Sequence, residues 1–352
     1  MKNNKKKYLF YLINFVIVLL VSFLTIYKLI KENGLETFTH LKELSVLSIV
    51  MLTSIFIVSY YLEGLIMAIA IKEYKKDFIP EQGFVIQCVG GLFSAITPLK
   101  LGYFPSLGYA YSKFNVKVEQ LLKSMAKTSF TYQVLALMLS FVSVVFCFNK
   151  EMVFKLGNVS LDLKYVALIG LMYNVALIIG YFILVLCPQL HNFILKIVAW
   201  FLYKIRKIDD KEQYFKIQEE KMHLLRIQIK KYFNNKKEIL LIFFIYLLKI
   251  TIVGSLPYIA YLMISKTSFR IDLWVCTIIL GNLITYITSL IPIPGASGAA
   301  EIVFIAVFSL IYRPESVLAS VMLIWRMFSY FINIIVGFVV FVIMLNIKRK
   351  RT

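Results

Sequence analysis

Charge is scarce in this chain. Asp, Glu, Lys and Arg make up 16% of its 352 residues, against about 25% in soluble domains, and 60% of the residues are hydrophobic. A pair of soluble domains, the ordinary reading of this length, is thereby excluded, and an integral membrane protein remains. Cysteine and histidine are scarce too. Cys88, Cys147, Cys187 and Cys276 each stand alone in an apolar stretch without C-x-x-C spacing, which argues against a zinc cage or a disulfide framework and leaves packing or lipid-facing roles. His40, His191 and His223 are scattered, and H-E-x-x-H, the Gly-rich P-loop and G-x-G-x-x-G are missing. Neither a metal site nor a nucleotide-driven pump is supported, and no cofactor is implied.

Apolar runs are what the chain has in abundance. Stretches of about 20 apolar residues, enough to cross a bilayer, run from Tyr8 to Ile30, Leu44 to Ile71, Thr128 to Phe148, Leu163 to Cys187, Ile239 to Ile264 and Ser316 to Ile347. These are six predicted spans. The opening MKNNKKK resembles a secretory start, but the run behind it is too long for a signal core and lacks a small-residue cleavage site, so a retained anchor is expected. Two further apolar regions, Phe78 to Ala110 and Leu273 to Ile311, are longer than one span and are interrupted by Pro and Gly. Each is predicted as a re-entrant helical hairpin or as two short helices. The expected fold class is all-α, one polytopic transmembrane helical bundle over residues 1–352. The two broken hairpins would enter it from opposite faces as an inverted repeat.

The net charge of +20 would suit nucleic acid, but its distribution excludes that partner. With the N-terminus inside, segments 1–7, 72–77, 111–127, 188–238 and 348–352 hold 27 basic and 9 acidic residues, and segments 31–43, 149–162, 265–272 and 312–315 hold 7 of each. Lys and Arg are retained on the cytoplasmic side, so both termini are expected inside, in a multi-pass cell-membrane protein. Within 188–238, a basic connector, Phe193, Ile194, Ile197, Trp200 and Phe201 alternate with Lys196, Lys204 and Arg206 as in an interfacial amphipathic helix. Phe215, Met222, Leu225, Ile229 and Phe233 then recur at helical spacing and predict a second helix under the membrane domain.

The broken regions carry the chemistry. Around the first break the chain reads Ser94-Ala-Ile-Thr-Pro98-Leu-Lys-Leu-Gly102, and around the second Pro292-Ile-Pro294-Gly295-Ala-Ser297-Gly298, so both contain P-x-x-x-G. Broken helices at corresponding positions of two halves point to a transport site near the midplane. Pro removes an amide and Gly loosens the backbone, and the polar groups so freed must be buried in protein or face a wet cavity. A helix restarting near Gly298 would aim its amides at a phosphate; a packing kink is the structural alternative. Among the few ionisable residues inside the apolar runs, Glu63, Lys249, Glu301 and Arg326 are singled out by their depth, and Asn333, seven residues after Arg326, should share its helix face. Two acids and two bases permit neutral pairing, with Glu301 to Arg326 the pair expected at the site. Gly295-Ala-Ser297-Gly298 also resembles the nucleophile motif of rhomboid proteases, but no histidine follows His223 to serve as base.

Ile291-Pro-Ile-Pro-Gly-Ala-Ser-Gly-Ala-Ala-Glu301 and Leu323-Ile-Trp-Arg326 resemble the P-x-P-G-G-x-G-x-x-E and later L-x-x-R of the lysylphosphatidylglycerol synthase transmembrane family, also called the flippase-like domain family. Thr97-Pro98, Gly102, Pro105, Tyr109 and Tyr132-Gln133 are similar to its T-P-x-x-x-G-G-Q-P and Y-Q. Ala296 departs from the second Gly of the later motif, and Tyr103-Phe104 depart from Gly-Gln in the earlier one. The resemblance implies a lipid-translocating domain like the flippase portion of the multiple peptide resistance factor, in whose bifunctional members a cytosolic synthase moves lysine from tRNA to phosphatidylglycerol and so supports antibiotic resistance in bacteria. Only Lys348 to Thr352 follow the last predicted span, so the synthase domain is not expected here. The expected function is movement of a phospholipid, or of an aminoacylated or lipid-linked headgroup, between leaflets. Arg326 and helix N-termini would meet phosphate, and Glu301 a cationic group or a proton. The expected partners are membrane phospholipid and a separate lipid synthase. A phosphatidylglycerol lysyltransferase acting with a partner, and a membrane scaffold for a lipid synthase, are the alternatives.

Overall fold

A computed structural model of the chain describes residues 39–40, 42–150, 152–156, 159–204, 208, 210–289, 291–314 and 317–346. The predicted anchor from Tyr8 to Ile30 lies outside the described residues. Helix α1 (Val46–Ile71) is capped by Ser45, whose Oγ accepts from the Ser48 amide at 3.1 Å. Helix α2 (Pro80–Ile96) opens with a proline, whose missing amide costs nothing in a first turn. Next come α3 (Tyr103–Lys113), α4 (Val118–Phe148), the antiparallel strands β1 (Val153–Leu156) and β2 (Val159–Asp162), and α5 (Leu163–Leu186). Helices α6 (Pro188–Lys204) and α7 (Lys211–Asn234) form the connector. The second half comprises α8 (Lys236–Gly254), α9 (Leu256–Ser265), α10 (Ile271–Ser289), α11 (Ala299–Phe308), α12 (Leu318–Arg326) and α13 (Ile332–Asn346).

Among the described residues six helical runs are long and apolar enough to cross a membrane: α1, α4, α5, α8 with α9, α10, and α12 through α13. The chain is a multi-pass, all-α membrane protein. Five of these runs are predicted spans. The sixth, α10, is the first arm of the second broken region, with 19 residues against 10 in its returning arm α11. The first broken region has the same asymmetry, 17 residues in α2 and 11 in α3. Each half thus runs as a long helix, a long and a short hairpin arm, and another long helix.

Three details depart from the sequence reading. Helix α4 begins ten residues before the predicted Thr128, because Gln120 Oε1 accepts from the Lys117 amide at 3.0 Å and starts the helix among charges. The predicted span from Ile239 to Ile264 breaks at Ser255, where Pro257 offers no amide to the preceding turn. The last span is interrupted by a π turn over Met327–Phe331. The wider turn shifts the register behind it, so Asn333 leaves the face of Arg326. Asn333 accepts a hydrogen bond from Tyr60 of α1, whereas Arg326 faces α11.

Packing holds the two hairpins in place. Helix α2 is clamped between α1 and α13 at glycines: a Cβ on Gly64 or Gly83 would strike the backbone of the other helix, and one on Gly337 would strike Cys88 and Leu92. Such small-residue contacts are how helices approach closely where lipid supplies no hydrophobic drive. The second hairpin rests on the largest buried cluster. There Tyr261 stacks on Tyr312 at 4.2 Å, Phe308 on Tyr312 at 5.1 Å, and the Tyr312 hydroxyl meets Thr277 Oγ1 at 2.8 Å.

In the connector, Phe193, Ile197, Trp200 and Phe201 of α6 are exposed. Lys204 sits 5.0 Å over the Trp200 ring, an arrangement suited to a headgroup layer. Helix α7 reaches back to the bundle through Tyr232, whose hydroxyl lies 2.8 Å from Thr131 Oγ1.

Candidate functional site

The two breaks form the same structure. Residues Pro98–Lys100 and Pro294–Ala296 are each a single 3₁₀ turn, and the two turns pack against one another. Each contains a pair of residues with positive φ, Leu99 (50°) and Lys100 (57°) in the first, Gly295 (60°) and Ala296 (48°) in the second. Only glycine enters this region without a Cβ penalty. Gly295 must also lack a side chain, since a Cβ there would run into the ring of Tyr330.

Side chains close both turns. In the first, Thr97 Oγ1 donates to the Phe93 carbonyl at 2.6 Å and accepts from the Gly102 amide at 2.8 Å. In the second, Glu301 Oε2 accepts from the Gly298 amide at 2.8 Å, while Oε1 accepts from Arg326 Nε at 2.6 Å. Arg326 Nη2 then donates to the Gly295 carbonyl at 3.1 Å, and the guanidinium lies 4.6 Å from the Tyr330 ring centre. Tyr330 completes the join by donating to the Ala95 carbonyl at the end of α2, at 3.4 Å. Glu301 is 1% and Arg326 5% exposed, so the predicted pair exists and is turned inward on the outgoing backbone. The Gly298 amide, expected to face a phosphate, is taken by Glu301.

Glu63 and Lys249, the other predicted pair of charges, also meet. Lys249 Nζ of α8 donates to Glu63 Oε2 of α1. Unlike the first pair, this one borders open space. A cavity of about 200 Å³ is walled by Tyr60 and Glu63 of α1, Gln87 and Ser94 of α2, Tyr103 of α3 and Lys249. A second, of about 240 Å³, lies between α8, α10 and α11, and Lys249 lines it too. Its wall is mostly apolar, with Val253, Ile278, Phe304 and Trp325, and includes Tyr132 and Gly281.

The remaining predicted site residues scatter around this frame. Pro292 is exposed ahead of the second turn, and Ser297 is buried with its hydroxyl donating to the Pro294 carbonyl at 3.2 Å. Pro105 and Tyr109 lie on α3, Tyr109 with Lys113 5.5 Å over its ring. Gln133 donates to Asn174 Oδ1 at 2.7 Å and ties α4 to α5. Tyr103, one of the departures from the family motif, donates to Gln87 Oε1 at 2.9 Å and lines the polar cavity, while Phe104 is exposed.

Apart from Glu63 and Lys249, sequence reasoning missed the walls of the cavity, and it missed the buried cation Lys127. Ser59, Tyr60 and Glu63, like Gln87, Gly91 and Ser94, recur at helical spacing within otherwise apolar helices, which was the available signal. Lys127 closes the charged segment 111–127, expected outside the membrane, and lies instead within α4. It is 2% exposed, 2.7 Å from Glu73 and 3.7 Å from Glu238, and lies between the rings of Tyr74 and Tyr232 at 5.5 and 5.4 Å. Burial pushes the Tyr74 phenol up to about 12, so its ring stays neutral against the lysine.

The match to known sequences falls on this same frame. The family model of the lysylphosphatidylglycerol synthase TM region matches residues 11–337. The chain belongs to that family. The match includes both turns, both ion pairs and both cavities, and it links the protein to lipid modification. No curated protein and no solved structure matches the chain.

Proposed function

We propose that this member of the lysylphosphatidylglycerol synthase TM family moves a phospholipid headgroup between leaflets. One observation carries the reading: two hairpins from opposite halves of the chain present their broken turns to each other, and cavities inside the bundle lie along the arms of the first hairpin, at Gln87, Ser94 and Tyr103, and of the second, at Gly281 and Phe304. A stable bundle has no need of irregular backbone at membrane depth, which lipid-exposed groups could not satisfy. Where such backbone meets polar space it lets a headgroup exchange water for protein partners midway across. Glu301 and Arg326 are positioning residues in this reading, holding the second turn closed while the headgroup passes beside it. That assignment replaces direct contact of Arg326 with phosphate, since both members of the pair are spent on each other and on the Gly295 and Gly298 backbone.

The test is leaflet exchange in proteoliposomes. Purified protein should let an added reductant reach the inner-leaflet share of a headgroup-labelled phospholipid, at a rate proportional to protein per vesicle. A rate equal to that of protein-free vesicles would refute the proposal. A lipid-modifying enzyme would instead form lysyl lipid from lysyl-tRNA in the same vesicles without moving the label.

A further inference from the structure

The two cavities share one residue, and that residue is charged. Lys249 lines both the polar space beside α2 and the apolar cleft between α8, α10 and α11. Its side chain is 28% exposed, against 6% for Arg326. The polar space carries a hydroxyl from Tyr60, an amide from Gln87, a hydroxyl from Ser94 and the Glu63 carboxylate. The apolar cleft is faced by Gly281, beside which a Cβ would meet nothing within 4 Å. A chamber lined by polar side chains and a mostly apolar cleft that share a single ammonium match the three parts of a phospholipid: headgroup, chain and the phosphodiester between them.

We infer that Lys249 is the phosphate anchor of a lipid site whose headgroup chamber is the Glu63 cavity and whose acyl slot is the α8–α10 cleft. The inference rests on the lipid reading above and gives it a place and a substrate class. A phosphate that takes Lys249 displaces Glu63, and a carboxylate left alone at this depth is costly. A headgroup that brings its own cation cancels that cost. The ligand is therefore a phosphodiester lipid with an amine in its headgroup, held by two exchanged ion pairs. A headgroup with only hydroxyls leaves Glu63 uncompensated. In the resting protein the Glu63–Lys249 pair stands in for the ligand and keeps the empty site neutral.

Binding, rather than transport, tests this separately from the proposed function. Full-length protein in detergent is titrated with dioleoyl phosphatidylethanolamine and with dioleoyl phosphatidylglycerol, and bound lipid is counted by native mass spectrometry. The wild type should prefer the amine lipid. Lys249→Gln should weaken both lipids about tenfold or more, the loss of one charge-assisted hydrogen bond. Glu63→Gln should abolish the preference between them. Gly281→Leu, which grows into open cleft, should weaken the two-chain lipids and spare soluble glycerophosphoethanolamine. The reversed pair, Glu63→Lys with Lys249→Glu, guards against misfolding: it should restore thermal stability without restoring amine-lipid binding, because the cation no longer sits at the mouth of the cleft. Wild-type affinity and preference in Lys249→Gln and Glu63→Gln would overturn the inference, as would binding recovered with stability in the reversed pair. Glycerophosphoethanolamine that competes as well as the whole lipid would overturn the acyl slot. The expected binding without leaflet exchange would uphold the site and refute the proposed function.

Discussion

Ala296 holds a backbone angle, φ of 48°, that its own Cβ opposes. The strain is local, because its neighbours in the turn are already fixed by Glu301 and Arg326. Removing the Cβ should relieve about 1 kcal/mol, offset in part by the greater freedom of glycine in the unfolded chain. Ala296→Gly is therefore expected to raise the unfolding midpoint in detergent, and a lower midpoint would show that the methyl group packs usefully. Glu301→Gln has the opposite sign. It leaves Arg326 buried without its counter-ion, and breaking a buried pair costs about 3–5 kcal/mol. A loss of under about 1 kcal/mol by denaturant titration would contradict the positioning role. At this scale the site was half legible: Glu301, Arg326, Glu63 and Lys249 stand out as charges among apolar residues, and their sum of zero announces pairing. Which pair borders open space was not legible, because exposure inside a bundle depends on three or four helices at once.

Helix α2 shows how an element can be set by what its neighbours lack. Gly64 and Gly83 bring α1 and α2 into backbone contact, and Gly337 does the same for α13. Gly83→Leu must push α2 off α1, and the whole first hairpin moves with it. The expected result is a loss of several kcal/mol, the usual scale for a side chain forced where none fits, read as failure to stay monodisperse on gel filtration in mild detergent. Gly180→Leu, at a position where a Cβ meets nothing, is the control and should be tolerated. Helices at this scale were legible wherever apolar runs exceed a span. The breaks at Pro98 and Pro294 were legible, and the one at Pro257 was not, because Pro257 sits inside a run that otherwise reads as continuous. The strand pair β1–β2 was missed because four-residue strands leave too short a pattern, and the π turn at Met327–Phe331 because nothing in Met-Phe-Ser-Tyr-Phe differs from ordinary helix.

For the molecule as a whole, the charge asymmetry predicts that both termini and the connector 188–238 face the cytoplasm. Single cysteines placed at 149–162 or 265–272 in a cysteine-free background should react with an impermeant maleimide on intact cells. Labelling at 209–237 instead would reverse the orientation. With that orientation the two hairpins would enter the membrane from opposite sides; their turns meet, and the proposed path runs through the cavity along α2 and the cavity along α10, which share Lys249. Blocking that path tests the account most directly. Gly281→Leu fills the cleft from a position with free space, and Ser94→Leu narrows the polar cavity. Both variants, shown to be folded by an unchanged unfolding midpoint, are compared with the wild type for exchange of a labelled amine phospholipid in proteoliposomes. Exchange should fall at least about tenfold, equivalent to about 1.4 kcal/mol added to the barrier. Folded variants that exchange lipid at the wild-type rate would contradict the central claim that the lipid passes through these two cavities.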